Sequence, residues 1–286
     1  MKVTGKTRVL GIFGDPVSHS MSPLMQNKAL QQAGIEAVYV PFHVQAEQLP
    51  QAVAGIRSLG LWGVNVTVPH KEAVCSLLDE VDPSARLIGA VNTIVNREGQ
   101  LIGYNTDGQG FLCSLAEDLH FHCEGKKILL LGAGGACRAA LVSLCQAGVA
   151  RIGIANRTRS RAEALVEEFG PVFPKVCFEP FGIEKADLLK AAQGIDLLVN
   201  TSAVGLKGEA FGDFPWPDLR QDVAVYDMVY SKTGTPLVQE ATRRGHRASG
   251  GLGMLAGQGE VAFALWTGER PAAGLMKRCL QEELSG

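Results

Sequence analysis

Pairing is what the cysteines of this 286-residue chain lack: there are seven, an odd number, and none forms a CxxC pair. That usage excludes a fully paired disulfide framework and a structural zinc site of the finger or ribbon kind. It predicts a reducing compartment, the cytoplasm. The chain also lacks an excess of either charge, with 27 Lys and Arg against 29 Asp and Glu and a net charge of −2. Binding to nucleic acid or to an anionic membrane needs a basic surplus or stripe, and basic residues are scattered except at Arg157 to Arg161 and Arg243 to Arg247. Neither partner is expected. No apolar run approaches the ~20 residues needed to span a bilayer, and Met1 to Arg8 is polar without an apolar signal core. The sequence therefore predicts a soluble chain that is not exported. No internal repeat or low-complexity tract is present. His120, His122 and Cys123 form the one cluster that resembles metal ligands. They precede Gly125 and Lys126 in a predicted interdomain turn, read as surface residues, and no metal is expected.

What the chain does have is core material, 46% hydrophobic against 20% charged, in a length that suits two domains. Strand-like runs alternate with helical patterns: Val9 to Phe13, a helix near Pro23 to Gln32, Val38 to Phe42, a helix over Ala46 to Ser58, then Gly63 to Val66. Such a rhythm means α/β with a mainly parallel sheet. A helix is predicted over His70 to Leu78, strands over Ala90 to Asn96 and Leu101 to Tyr104, and a helix over Gly108 to Leu119. The first domain is placed at residues 1–112 and a Rossmann-like domain at 113–252. Helices in 253–286 are expected to pack back on the first domain. Lys207 to Leu219, rich in Gly, Pro and aromatics, reads as a surface loop.

The richest stretch is Lys127 to Arg161. Ile128 to Leu131 reads as a buried strand, Gly132 and Gly134 let the backbone turn tightly beside a pyrophosphate, and from Ala136 a helix begins whose N-terminus favours anions. The sixth position of this GxGxxG pattern is Cys137, small enough for close helix packing. At the end of the next strand, where an NAD site carries Asp or Glu for the ribose hydroxyl, stand Asn156, Arg157, Thr158 and, one turn on, Arg161. Their forked cationic donors suit a 2′-phosphate, which selects NADP over NAD. A solvated helix start with Thr158 or Ser160 as N-cap is the alternative.

Open α/β sheets bind ligands at the carboxyl ends of their strands, and polar residues gather there. Ser20 and Ser22 lie in GDPVSHSMSP, Thr67 and Lys71 in NVTVPHKE, Asn92 in GAVNT and Asp107 in NTDG. Each alone also reads as a cap, a turn residue or a solvated helix start. Together with GAGGACRA, NRT, DMVY and GLGMLAGQ, these eight ordered motifs resemble the shikimate dehydrogenase family along nearly the whole chain.

The resemblance implies NADPH-dependent, reversible reduction of 3-dehydroshikimate to shikimate, within the pathway to chorismate and the aromatic amino acids, by a monomer or homodimer whose partners are small molecules. It implies that Ser20 and Ser22 bind the substrate carboxylate with Tyr230 close by, and that Thr67, Lys71, Asn92, Asp107 and Gln258 contact the ring oxygens. Many short polar groups suit a polyhydroxylated ring, because a buried group left unpaired penalises the wrong isomer. Lys71 and Asp107 are the expected catalytic pair: an ammonium can stabilise alkoxide character on the carbonyl oxygen and supply its proton. In the oxidative direction either member, or the coupled pair, could take the proton. On the cofactor side, Gly132, Gly134, Gly135 and Ala136 would line the diphosphate and Asn156, Arg157, Thr158 and Arg161 the adenosine phosphate. Thr201 and Ser202 would approach the dinucleotide, while Met228 and Gly251 would flank the nicotinamide. Relatives often show an acidic residue before that glycine where this chain has Gly250. Two alternatives stand beside this reading: a quinate/shikimate dehydrogenase of broader substrate and cofactor use, and a non-catalytic sensor of shikimate-like ligands or NADPH.

A charge-assisted hydrogen bond is worth about 1.5 to 3 kcal/mol. Arg157→Ala is therefore expected to weaken NADP binding on the order of tenfold to a hundredfold and to leave NAD almost unaffected. Equal losses for both cofactors in a binding titration would refute the phosphate assignment.

Overall fold

The computed structural model describes residues 3–212 and 214–285. Two compact units divide it: the described residues up to Gly110 with those from Leu255 onward, and Phe111–Met254 between them.

In the first unit the chain alternates as its apolar pattern predicts. β1 (Arg8–Gly14), α1 (Ser22–Gln32), β2 (Ala37–His43), α2 (Leu49–Ser58) and β3 (Gly63–Val66) follow in order. Then come β4 (Glu80–Val81), α3 (Pro83–Ile88), β5 (Thr93–Arg97), β6 (Gln100–Tyr104) and the start of α4 (Asp107–Leu119). The strands form one sheet in the order β2-β1-β3-β5-β6-β4. β1 pairs parallel with β2 and β3, and β4 with β6, whereas β5 runs antiparallel to both neighbours. All four residues of β3 are buried, as a run covered on both faces should be. The closing helices α9 (Leu252–Thr267) and α10 (Leu275–Ser285) return to this unit. Gln26 on α1 donates to the Gly259 carbonyl at 2.9 Å, and the Trp266 indole donates to the Ile94 carbonyl at 3.0 Å.

The second unit holds β7 (Lys127–Leu131), α5 (Gly135–Gln146), β8 (Arg151–Ala155), α6 (Arg159–Phe169), β9 (Cys177–Phe181) and α7 (Lys185–Ala191). β10 (Leu197–Asn200), β11 (Ala224–Asp227), α8 (Pro236–Arg243) and β12 (Ala248–Gly250) complete it. Its sheet is parallel throughout, in the order β12-β11-β10-β7-β8-β9. That is the doubly wound dinucleotide-binding order, with its switch point between β7 and β10.

Three local expectations fail for physical reasons. The helix predicted over His70 to Leu78 is a 3-10 turn at Ala73–Leu77, because the Lys71 carbonyl accepts the Val91 amide at 2.8 Å instead of closing a helical turn. The loop predicted at the surface between Lys207 and Leu219 is anchored from within: Phe214, Trp216 and Leu219 are buried in the core beside Leu198 and Val225. Of the cluster His120, His122 and Cys123, the two histidines are exposed but Cys123 is buried, its thiol pushed up to about 11 by that burial. The sequence pattern assigns no element to the segments that form β4, α3, β9, α7, α8 and β12.

Leu130, the fourth of the five residues of β7, has no exposed surface. Leu130→Ala is expected to cost about 2–5 kcal/mol through lost burial and a residual cavity. Leu206→Ala, at a side chain two-thirds exposed, should change stability by less than about 0.5 kcal/mol. Thermal unfolding of the two variants checks both.

Candidate active site

At the carboxyl end of the first sheet the polar residues are joined rather than scattered. Lys71 reaches Asp107, at the first turn of α4, with Nζ 2.7 Å from Oδ2. Their side chains are 29% and 19% exposed, so solvent screens this pair less than an open surface bridge. The other oxygen, Oδ1, accepts from Asn92 Nδ2 at 2.8 Å. Asn92 is fixed in that orientation because its Oδ1 accepts the Thr106 backbone amide at 2.8 Å, a group that can only donate. Its Nδ2 also meets Thr106 Oγ1 at 3.0 Å, and Thr106 Oγ1 lies 3.5 Å from Gln258 Oε1. An Asx turn, Asp107 N to Asn105 Oδ1 at 3.1 Å, sets the start of α4.

Behind this cluster a buried chain continues. Thr93 Oγ1 donates to Asn92 Oδ1 at 3.0 Å and accepts from Asn65 Nδ2 at 3.0 Å. The Tyr39 hydroxyl donates to Asn65 Oδ1 at 2.7 Å and also hydrogen-bonds the Ser22 side chain. Burial pushes the Tyr39 hydroxyl well above the ordinary phenol range, so it stays neutral. Ser20 Oγ accepts the Ser22 amide at 3.3 Å. The turn after β1 meets the turn after β3 through the Asp15 amide on the Val68 carbonyl at 3.2 Å, with the Thr67 amide on the Phe13 carbonyl at 2.9 Å. One network thus connects Ser22, Asn92, Asp107, Lys71 and Gln258, with Ser20 and Thr67 on the adjoining turns. Tyr230, 36% exposed, belongs to the other unit. Sequence reasoning misses Tyr39, Asn65, Thr93 and Thr106, and reads Asn105 only as a turn residue, which it is. Asn65, Thr93 and Thr106 stand near residues it selects, and that adjacency is the available signal; Tyr39 has none.

In the second unit the Gly-rich turn sits at the switch point. Gly132 has φ +113°, and a Cβ there would stand 3.0 Å from Thr201 Oγ1 and 3.1 Å from the Ser202 amide nitrogen, so glycine is required for this close approach. Nothing stands within 4 Å of where a Cβ on Gly134 or Gly135 would sit. Gly134 is the N-cap of α5 and has no side chain with which to cap it, and the first amides of a helix have no partner within the helix, the arrangement that receives a phosphate. Ala136 is exposed beside them. Cys137 packs inside, hydrogen-bonded to Thr201, its thiol pushed up to about 12 by burial.

At the end of β8, Arg157 and Arg161 are exposed and have no acidic partner among the described residues, whereas Arg138, Arg151 and Arg159 nearby in the chain are each paired. Two unpaired guanidiniums fit a ribose phosphate. Asn156 spends one amide hydrogen on the Thr158 carbonyl at 2.8 Å, and Thr158 occupies the N-cap of α6 without a capping bond. On the other side of the switch point Ser202 is tied to Asn200, and the Met228 amide donates to the Asn200 carbonyl at 3.0 Å. Gly251 lies against Met228, where a Cβ would collide with the Met228 carbonyl oxygen. The structure therefore brings Gly132, Thr201 and Ser202 together, and Met228 with Gly251. No helix among the described residues is long and apolar enough to cross a membrane.

Comparison with known proteins identifies the lineage of this arrangement. Residues 12–94 match the shikimate dehydrogenase substrate binding domain, 114–202 the shikimate / quinate 5-dehydrogenase domain and 251–281 the shikimate 5′-dehydrogenase C-terminal domain. The chain is 52% identical over 278 residues to the shikimate dehydrogenase (NADP(+)) of Geobacter metallireducens, covering 97% of both chains. It is 53% identical over 285 residues to that of Geobacter sulfurreducens, covering 99% of both. Among solved structures, shikimate 5-dehydrogenase from Listeria monocytogenes in complex with shikimate and NAD is 35% identical with a TM-score of 0.92, each chain 98% covered. That from Thermus thermophilus in complex with NADP(H) and shikimate is 38% identical with a TM-score of 0.85, covering 96% of this chain and 99% of that one. The chain belongs to the shikimate dehydrogenase family.

Proposed function

We propose that this protein catalyses the reversible, NADPH-dependent reduction of 3-dehydroshikimate to shikimate, and so acts in the pathway to chorismate and the aromatic amino acids. The observation that carries the reading is the Lys71–Asp107 pair at 2.7 Å, set in a network of uncharged donors and acceptors. Residues 1–112 with the returning helices hold the substrate, and 113–252 the dinucleotide. NADPH, when bound, supplies the hydride. The chain's own residues do the rest. Ser20 and Ser22 take the carboxylate, while Thr67, Asn92 and Gln258 contact the ring oxygens. Lys71 stabilises the negative charge that grows on the carbonyl oxygen and delivers its proton from Nζ. Asp107 holds that ammonium in place through Oδ2 while Asn92 holds Asp107 through Oδ1, so the donor is positioned before substrate arrives.

Gly132, Gly134, Gly135 and Ala136 line the diphosphate, with Thr201 and Ser202 beside them. Asn156, Arg157, Thr158 and Arg161 receive the adenosine phosphate, and Met228 and Gly251 flank the nicotinamide. The unpaired Arg157 favours NADP, and with it shikimate dehydrogenase over the quinate-using alternative of broader cofactor choice. Retention of Lys71 and Asp107 favours an enzyme over a sensor. Seven free thiols suit a reducing cytoplasm, and the enzyme is assigned there as a monomer or homodimer.

Lys71→Ala is expected to lower kcat on the order of 10² to 10⁴ with a much smaller change in KM for shikimate. Asp107→Asn, which keeps the shape but loses the charge partner, should also impair turnover. Near-normal rates in Lys71→Ala would remove that residue from the mechanism, and a bridge of surface type would give almost no kinetic effect. A spectrophotometric matrix of shikimate and quinate against NADP and NAD tests the whole reading. Reduction of NADP with shikimate should dominate, and its absence from all four combinations would favour the sensor.

A further inference from the structure

The acid of the DMVY motif has no part in the proposed chemistry, yet it is the most deeply committed carboxylate of the second unit. Asp227 ends β11 with no exposed surface. An isolated buried carboxylate is costly and must be matched by donors. Three are present: Asn200 Nδ2 at 2.8 Å and the Val229 amide at 3.0 Å on Oδ1, and Thr235 Oγ1 at 2.5 Å on Oδ2. Burial still pushes its carboxyl above the ordinary range.

Asn200, at the end of the neighbouring strand β10, is equally buried and fully used. Its Oδ1 accepts the Ser202 amide at 2.9 Å and the Ser202 hydroxyl at 2.7 Å. Its Nδ2 donates to the Val204 carbonyl at 2.8 Å as well as to Asp227. The backbone amide and carbonyl at its two ends leave one possible orientation for the side-chain amide. The Asn200 carbonyl also accepts the Met228 amide at 3.0 Å. Asn200 and Asp227 therefore form a clasp across two adjacent strand ends, and the groups it fastens are the loop of Ser202 on one side and Met228 with Val229 on the other.

We infer that Asp227 and Asn200 are positioning residues for the dinucleotide: they hold the β10 and β11 loops in their binding geometry before NADP arrives. This rests on the assignment of Ser202 and Met228 to the cofactor. Both side chains are fully buried and bonded within the protein, so their effect on the ligand passes through these loops. In Asp227→Asn, an amide replaces an acceptor-only group, two NH₂ groups oppose each other on the Asn200 side or a carbonyl is lost on the Thr235 side, and the loops lose their common anchor.

The test is calorimetric titration of the full chain with NADP alone and with shikimate alone, beside thermal unfolding. Asp227→Asn should weaken NADP about tenfold, the effect of one lost preorganising bond, and leave shikimate affinity within about twofold. A folded variant that binds NADP as the parent chain does overturns the inference, as does equal weakening of both ligands, which would mark a merely structural acid. Arg157→Ala in the same titration separates the two levels. If it too binds NADP unchanged, the cofactor assignment fails and this role with it; if it is weakened while Asp227→Asn is not, only the clasp fails. Hydrogen exchange on the unsubstituted protein gives an answer even if the variant does not fold. The Ser202, Met228 and Val229 amides should be protected without NADP, and free exchange there until NADP is added would also overturn the inference.

Discussion

A charge pair of moderate burial, supported entirely by neutral groups, is the constraint on which the chemistry proposed for the first unit depends. An ammonium and a carboxylate 2.7 Å apart would be a weak feature on an open surface, where solvent and side-chain entropy cancel most of the attraction. Here each carboxylate oxygen has its own donor, one charged and one an amide, and the amide is itself held by a backbone N–H. Fixing Asn92 fixes Asp107, and fixing Asp107 fixes the Lys71 ammonium. A donor that needs no reorganisation when charge develops is what electrostatic catalysis requires.

The second unit solves a different problem with the same means. A dinucleotide brings several negative charges, yet the backbone turn at Gly132 to Gly135 carries no side-chain charge of its own. The N-terminus of α5 carries positive potential from its backbone dipoles, and the cationic side chains proposed for the adenosine phosphate, Arg157 and Arg161, stand apart, just after β8 and in the first turn of α6. Close packing shapes the turn: Thr201 and Ser202 stand too near Gly132 for a side chain to fit there without crowding, and Cys137 tucks inward against Thr201. Cysteine at the sixth position of the pattern is tolerated because that site is buried and small, with its thiol held neutral.

Packing also explains which turns of the chain departed from expectation. Phe214 and Trp216 stack edge to face at 5.0 Å inside a segment whose glycines and prolines suggest an exposed loop. The aromatics decided its fate, because their burial outweighs the preference of the flanking residues for solvent. Near Lys71, a helical pattern gave way to a 3-10 turn once the Lys71 carbonyl found a partner in Val91, twenty residues along the chain.

Sequence alone determined the alternation of strands and helices, the Gly-rich turn, the cationic end of β8 and the family, because each is written in neighbouring residues: apolar period, backbone permissiveness, side-chain charge. It also singled out Lys71, Asp107 and Asn92. Tertiary structure alone decided that these three share one carboxylate, that Tyr39, Asn65 and Thr93 stand behind them, and that Asn200 and Asp227 clasp two strand ends. The reason is physical. A hydrogen bond between side chains far apart in the chain leaves no periodic trace, and an asparagine reads identically whether it faces water or holds a buried acid.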